Sequence, residues 1–251
     1  MSDRSETPRF RKLPAVSSAR GILLWFPHAG GTSAAVVRQT RSLELELETW
    51  VAVLPAREER YRETAIGLQE LVHEFAETIE DQVRIPMVLA GHSFGGLLAY
   101  LIAEELCQRR RSKNDAPLLA LMPMAIAPPD RLETEAWSQS TDQDLVEHLA
   151  SHYGAIPSVI RQSPEAMKQF LPVVRHDLRL MESYQHQASE PLPIDLVVCG
   201  GTKDEAANER TLSGWRRFTQ REWTLKMFEG DHFFPNQHFQ AITRLARDFC
   251  R

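Results

Sequence analysis

Gly91-His92-Ser93-Phe94-Gly95 decides the fold. The apolar run Pro86 to Ala90 leads straight into it, and the helix-forming run Leu97 to Leu106 leaves it, so a strand, a sharp turn and a helix are expected in that order. A G-x-S-x-G turn in this setting holds a serine on strained backbone, with glycines where a side chain would strike the strand or the helix. Ser93 is therefore a candidate nucleophile at the top of a sheet. The helix behind it begins with unpaired N–H groups and a positive dipole end, where an oxyanion would be stabilised. A glycine-rich turn without chemistry is the plainer alternative, and the matching strand and helix argue against it.

Outside this stretch, 251 residues at 43% hydrophobic and 25% charged suffice for one domain with a large buried core. The expected organisation is a flexible tail over residues 1–20 and a single domain over 21–251. A formal net charge of −5 argues against nucleic acid or an anionic membrane as partner, since both select clustered positive charge. Cys107, Cys199 and Cys250 are scattered and odd in number, which indicates neither a disulfide framework nor a metal site. The first twenty residues lack the continuous apolar stretch of a signal peptide, and no run of about 18 apolar residues occurs, so a cytoplasmic protein is expected.

Gly21 to Phe26 reads as a buried strand that opens into Pro27-His28-Ala29-Gly30-Gly31. A glycine-rich loop after an early strand can supply one oxyanion N–H while the residue after the nucleophile supplies the other; those posts fall on Ala29 and Phe94. His28 is read as a pocket wall rather than a base. Trp50 to Leu54 reads as the next strand, and the charged group Arg57, Glu58, Glu59, Arg60 and Arg62 follows it, either as a solvated loop or as a ligand-facing one. Ala65 to Val83 carries one apolar stripe, which marks a helix. Strand and helix thus alternate, as in a mostly parallel sheet covered on both faces.

After a strand at Leu118 to Ala127 the pattern changes. Thr141 to His152 and Ser163 to His186 read as consecutive helices, the second kinked at Pro172, with an apolar stripe at Phe170, Val174, Leu178 and Met181. Such an insertion, over about residues 130–190, would form a helical lid over the nucleophile. His28, Phe170 and Val174 are the candidate substrate contacts. Strands return at Ile194 to Cys199 and Trp223 to Phe228, each followed by polar residues: Asp204 after the first and His232 after the second. A serine needs a base, and the base needs a carboxylate to fix its tautomer. The order serine, acid, histidine is that of α/β-hydrolases. Asp130 also follows a strand beyond the nucleophile and is the alternative acid.

These residues together resemble the type II, or editing, thioesterases that accompany modular polyketide and non-ribosomal peptide synthetases. The resemblance runs from about Gly21 to the carboxyl end. Phe26 to Gly31 is similar to the family's oxyanion loop, Leu54-Pro55-Ala56-Arg57-Glu58 with Arg60 to its L-P-G-R-E-x-R stretch, and Gly91 to Gly95 to its G-H-S-M-G elbow. Leu171-Pro172, Arg175, Asp177-Leu178-Arg179 and Glu182 to Tyr184 are similar to its lid helix, and Gly230 to Phe234 to its histidine loop. Three positions depart from the pattern: Ala56 for glycine, Phe94 for methionine and Gly96 for alanine. The Phe94 ring is expected to narrow the acyl entrance.

The resemblance implies an α/β-hydrolase fold and hydrolysis of acyl groups from the phosphopantetheine arm of an acyl or peptidyl carrier protein by a monomer. It implies no metal and no cofactor. Ser93, Asp204 and His232 would be the catalytic residues, and Arg57, Arg60 and the basic turn Arg109 to Arg111 would meet an acidic carrier. A carrier-protein acyltransferase, a general carboxylesterase and a non-catalytic binding module remain as alternatives.

Overall fold

The computed structural model describes residues 7–13, 19–41, 43, 45–63, 66–109, 117–132, 135–153 and 162–250. Its strands are β1 (Phe10–Leu13), β2 (Ile22–Phe26), β3 (Glu48–Ala52), β4 (Met87–His92), β5 (Leu118–Met124), β6 (Asp195–Gly201) and β7 (Trp223–Phe228). Its helices are α1 (Ser33–Thr40), α2 (Leu68–Gln82), α3 (Phe94–Arg109), α4 (Asp142–Tyr153), α5 (Pro164–Glu182), α6 (Glu209–Leu212) and α7 (Pro235–Asp248).

The seven strands form one sheet in the order β1-β3-β2-β4-β5-β6-β7, parallel except for β1 at the edge. Central strands of such a sheet are apolar on both sides because helices cover both faces. β2 illustrates this: Ile22, Leu24 and Phe26 point into the core beneath α2 and α3, while Leu23 and Trp25 point into the core beneath α1 and α7. Leu71, Phe75 and Ile79 of α2 sit at helical spacing and are fully buried, a contribution of roughly 1.5–3 kcal/mol for each such side chain. The chain runs from β2 outward to β3 and then returns across β2 to β4, so the strand order reverses at the β2–β4 pair. Crevices for ligands open at the carboxyl end of such a reversal. There Phe26 lies beside Gly91, which places the loop after β2 next to the turn after β4.

The elements follow the sequence reading with several differences. Phe10–Leu13, expected within a flexible tail, pairs antiparallel with β3. Phe10 is buried against Phe26, Trp50 and Phe75, so one aromatic anchor is enough to bring the segment onto the sheet. The third strand begins and ends two residues earlier than expected because Leu54 and Pro55 already belong to the loop. The helix α5 is continuous across Pro172, and the interruption of helical geometry lies instead at His238 in α7. Three helices, α1, α6 and α7, have no counterpart in the sequence reading, although Phe239, Ile242 and Ala246 supply the apolar stripe for α7.

Between β5 and β6 the chain leaves the sheet for α4 and α5, whose Leu145, Leu149, Leu171 and Val174 form a small separate core. Both helices start on side-chain caps: Thr141 Oγ1 accepts the Asp144 N–H at 3.2 Å, and Ser163 Oγ accepts that of Ala166 at 3.2 Å. Part of the predicted insertion, residues 133–134 and 154–161, lies outside the described residues. Among the described residues no helix is long and apolar enough to cross a membrane.

Candidate active site

Ser93 occupies the turn between β4 and α3 at φ +54°, a left-handed conformation that costs a non-glycine residue of order 1 kcal/mol or more. The turn is enforced by its neighbours. A Cβ on Gly91 would lie 1.9 Å from the Gly95 carbonyl oxygen, and one on Gly95 would lie 2.2 Å from that of Phe26. Backbone meets backbone at both points, so only glycine fits. The Ser93 N–H is held by the Met124 carbonyl at 2.8 Å, which ties the turn to β5. Phe94 begins α3, where the first N–H groups have no intrahelical acceptor. Its ring is fully buried in the core, not at an acyl entrance as expected, because helix geometry turns it back toward the sheet.

Asp204 and His232 come from the loops after β6 and β7, which pair in register up to Gly201 and Phe228. The two loops are joined by Lys203 N–H to the Gly230 carbonyl at 2.8 Å. Asp204 Oδ2 accepts from His232 Nδ1 at 2.8 Å, and Asp204 Oδ1 accepts the N–H groups of Ala206 and Ala207, each at 3.1 Å. Three bonds thus orient the carboxylate, and it fixes the neutral imidazole with its proton on Nδ1 and the lone pair on Nε2. Asp130 stands elsewhere, in a partly exposed ion pair with Arg217.

Sequence reasoning assigned no role to His92. It is buried, and its Nε2 donates to the His232 carbonyl at 2.8 Å, which ties the histidine loop to the Ser93 turn. His28 packs edge-on against His92 and Phe233, with ring centroids 5.2 and 5.0 Å apart, and its Nδ1 donates to the Ala29 carbonyl at 2.9 Å. Burial drives the His28 pKa down to about 4 and that of His92 well below the ordinary range. Two neutral histidines therefore flank His232. The signal for His92 was present in the sequence, since the residue before the serine lies at a strand end and faces the loops of neighbouring strands.

Ser93 and His232 line one cavity of about 390 Å³. Its wall is mixed: Ala125, Ile126, Leu132, Met181 and Ala207 are apolar, while Arg131, Tyr153 and Thr211 add polar groups. The insertion contributes Tyr153, whose ring lies 4.7 Å from that of His232, and Met181. Phe170 and Val174 are placed differently: they press on Gly30, where a Cβ would meet Val174 Cγ2 at 2.5 Å and Phe170 Cε2 at 3.0 Å. Among the described residues no three of His, Cys, Asp and Glu are grouped so as to hold a metal ion.

In the charged loop after β3, Glu59 and Arg62 face solvent but the two arginines expected to meet a carrier do not. Arg57 is 5% exposed and Arg60 is wholly buried. Arg57 bonds Asp177 of α5 and the Gly31 and Pro55 carbonyls; Arg60 bonds the Val53 carbonyl and pairs with Glu63 and Glu74. Neither can meet a partner protein, which corrects the expectation drawn from their charge. Arg109 pairs with Glu80 and Glu105, and Arg110 and Arg111 lie outside the described residues.

Comparison with known proteins identifies the family. Gramicidin S biosynthesis protein GrsT of Aneurinibacillus migulanus is 31% identical over 219 residues, 87% of this chain and 84% of that one. Thioesterase PikA5 of Streptomyces venezuelae is 27% identical over 231 residues, 91% and 80% of the two chains. Among solved structures, the type II thioesterase BorB from the borrelidin biosynthetic cluster superposes with a TM-score of 0.83 at 26% identity, covering 99% of this chain and 100% of that one. Residues 21–250 match the family model described as the thioesterase domain, and with the α/β-hydrolase sheet beneath it this chain belongs to the thioesterase domain family, whose members are hydrolases acting on thioesters.

Proposed function

We propose that this chain is a type II thioesterase that removes acyl groups from the phosphopantetheine arm of an acyl or peptidyl carrier protein, editing stalled or aberrant intermediates of polyketide or non-ribosomal peptide synthesis. One observation carries the chemistry: a serine on a strained turn and a histidine oriented by a buried carboxylate line the same cavity. The names and likenesses of GrsT, PikA5 and BorB support the pathway class.

In this reading His232 Nε2 takes the Ser93 proton as Oγ attacks the thioester carbonyl, and Asp204 stabilises the imidazolium that forms. The oxyanion is met by the N–H groups of Phe94 and Ala29. His28 and His92, being neutral, add no like charge against the imidazolium. The thiol leaves with the proton from His232, and the same nitrogen then activates water to release the acid. The acyl part occupies this cavity, against the apolar stretch of its wall made by Ala125, Ile126, Leu132, Met181 and Ala207. One methylene in such a pocket discriminates by only about 1–3 kcal/mol, as suits an editing enzyme with broad acyl tolerance. The same reading has the chain act in the cytoplasm as a monomer, without a cofactor.

The test is incubation with carrier proteins bearing different acyl arms, followed by intact mass. Loss of the acyl mass with release of free acid is expected. Transfer of the acyl group to a second carrier without free acid would make the chain an acyltransferase. Turnover of simple esters with none of the carrier-bound thioesters would make it a carboxylesterase.

A further inference from the structure

Asp177 stands on α5, in the helical insertion, and is 1% exposed although it is an acid. Its Oδ2 accepts the Gly30 N–H at 2.7 Å, and its Oδ1 accepts from Arg57 at 2.5 Å. The same guanidinium donates to the Gly31 carbonyl at 2.9 Å. On the other side, His28 Nδ1 donates to the Ala29 carbonyl. The peptide joining Ala29 to Gly30 is therefore pinned at both its oxygen and its nitrogen, and the Gly31 carbonyl is pinned as well. The Ala29 N–H belongs to the preceding peptide, whose His28 carbonyl accepts the Gly31 N–H at 2.8 Å, so the pinned planes on both sides of Ala29 determine where that N–H points.

Stability alone is a poor explanation for this ion pair, because buried pairs cost nearly as much in desolvation as they return and apolar replacements often match them. A hydrophobic contact is already present at the same place, where Val174 and Phe170 close over Gly30 at φ +74°. What the pair adds is direction. We infer that Asp177 is a positioning residue for the oxyanion loop, so that the Ala29 donor is correctly aimed only while α5 is seated on the loop. The inference rests on the proposed role of Ala29. It makes the lid helix part of the oxyanion site, because the contacts that seat α5 are the ones that aim the donor.

The experiment compares Asp177→Ala and Asp177→Asn with the wild type, using an acyl N-acetylcysteamine thioester as substrate. A fluorophosphonate, read by intact mass, counts reactive Ser93 in each preparation. Per labelled site, kcat should fall about 100-fold in Asp177→Ala, the scale of a misaligned or missing oxyanion donor. In Asp177→Asn, which keeps an acceptor for the Gly30 N–H but loses the charge facing Arg57, the fall should be about tenfold. KM should stay within about threefold in both, and inhibition by an alkyl boronic acid, which loads the oxyanion site, should weaken with kcat. A purely structural role would lower the labelled fraction and the melting temperature but leave kcat per labelled site within about twofold of wild type, and that result overturns the inference. Should Asp177→Ala not fold, the nearly isosteric Asp177→Asn decides by the same criterion. Absence of labelling in the wild type would overturn the nucleophile assignment and the inference with it.

Discussion

Replacing Asp204 by asparagine should nearly abolish turnover without unfolding the protein. The side chain keeps its shape, and its remaining oxygen can still accept the Ala206 and Ala207 N–H groups that now hold Oδ1. The amide nitrogen must then occupy the place of Oδ2, 2.8 Å from His232 Nδ1. Two donors cannot share that bond, so Nδ1 loses its proton and the imidazole carries it on Nε2. That is the nitrogen required to accept the serine proton. A wrong tautomer of this kind costs up to about 10⁴ in kcat, or about 5.4 kcal/mol of transition-state stabilisation. Asp130→Asn is the internal control: its pair with Arg217 is partly solvated, worth about 0–1 kcal/mol, and its loss should leave turnover within about twofold. Both variants and the wild type are assayed on one acyl thioester at pH 7.5, with thermal unfolding to confirm a native fold. If Asp204→Asn keeps a tenth of wild-type activity, or if Asp130→Asn is the inactive protein, Asp204 does not orient the base.

Ser93→Ala should lower turnover by about four to six orders of magnitude and leave the melting temperature nearly unchanged; activity within tenfold of wild type would refute a serine nucleophile. Ala56 sits at φ +64°, a conformation that favours glycine, so Ala56→Gly should stabilise by up to about 1 kcal/mol in urea denaturation, and a loss of stability would contradict the reading. His28 keeps its neutral form in the folded protein down to about pH 4 but titrates near 6.5 when unfolded, so the unfolded state binds more protons in between and stability falls as pH drops from 6.5 to 4. The full effect is about 3 kcal/mol, and His28→Asn should flatten the stability curve across that window by a comparable amount; an unchanged slope would show that burial does not hold His28 neutral.

The parts of this molecule that were legible in the sequence are those dictated by neighbours close along the chain. Gly91 and Gly95 are required by contacts within the turn itself and with the adjacent loop, and an apolar strand before the turn and a helix after it leave few other arrangements. The order of serine, acid and histidine likewise follows from strands whose ends are visible as Gly and polar punctuation. Arg57 and Arg60 were misread for the opposite reason. Five charges within residues 57–62 read as solvated, and the burial of Arg57 and Arg60 depends on Asp177, 120 positions from Arg57, and on Glu74 of α2. Nothing local to the loop records those partners. Phe10 was lost because β1 is a four-residue edge strand with a single fully buried side chain, too short for its periodicity to register. The Phe94 ring was misplaced by treating the residue as part of a pocket, when its position at the start of α3 already turned the side chain inward.

The departures from local rules are themselves arranged. Among the described residues, the four non-glycine residues at positive φ are Ala56, Glu58, Ser93 and Ala125, and the glycines at positive φ are Gly30 and Gly230. All six lie in loops at the carboxyl ends of strands: Gly30 after β2, Ala56 and Glu58 after β3, Ser93 after β4, Ala125 after β5 and Gly230 after β7. The buried histidines and the buried Arg57–Asp177 pair stand at the same edge. Each costs stability where it stands, and burial of the apolar strands and helices beneath offsets that cost. Strain confined to one edge of an otherwise regular sheet marks that edge as the place where geometry is held for chemistry, and it does so without reference to any single residue's proposed role.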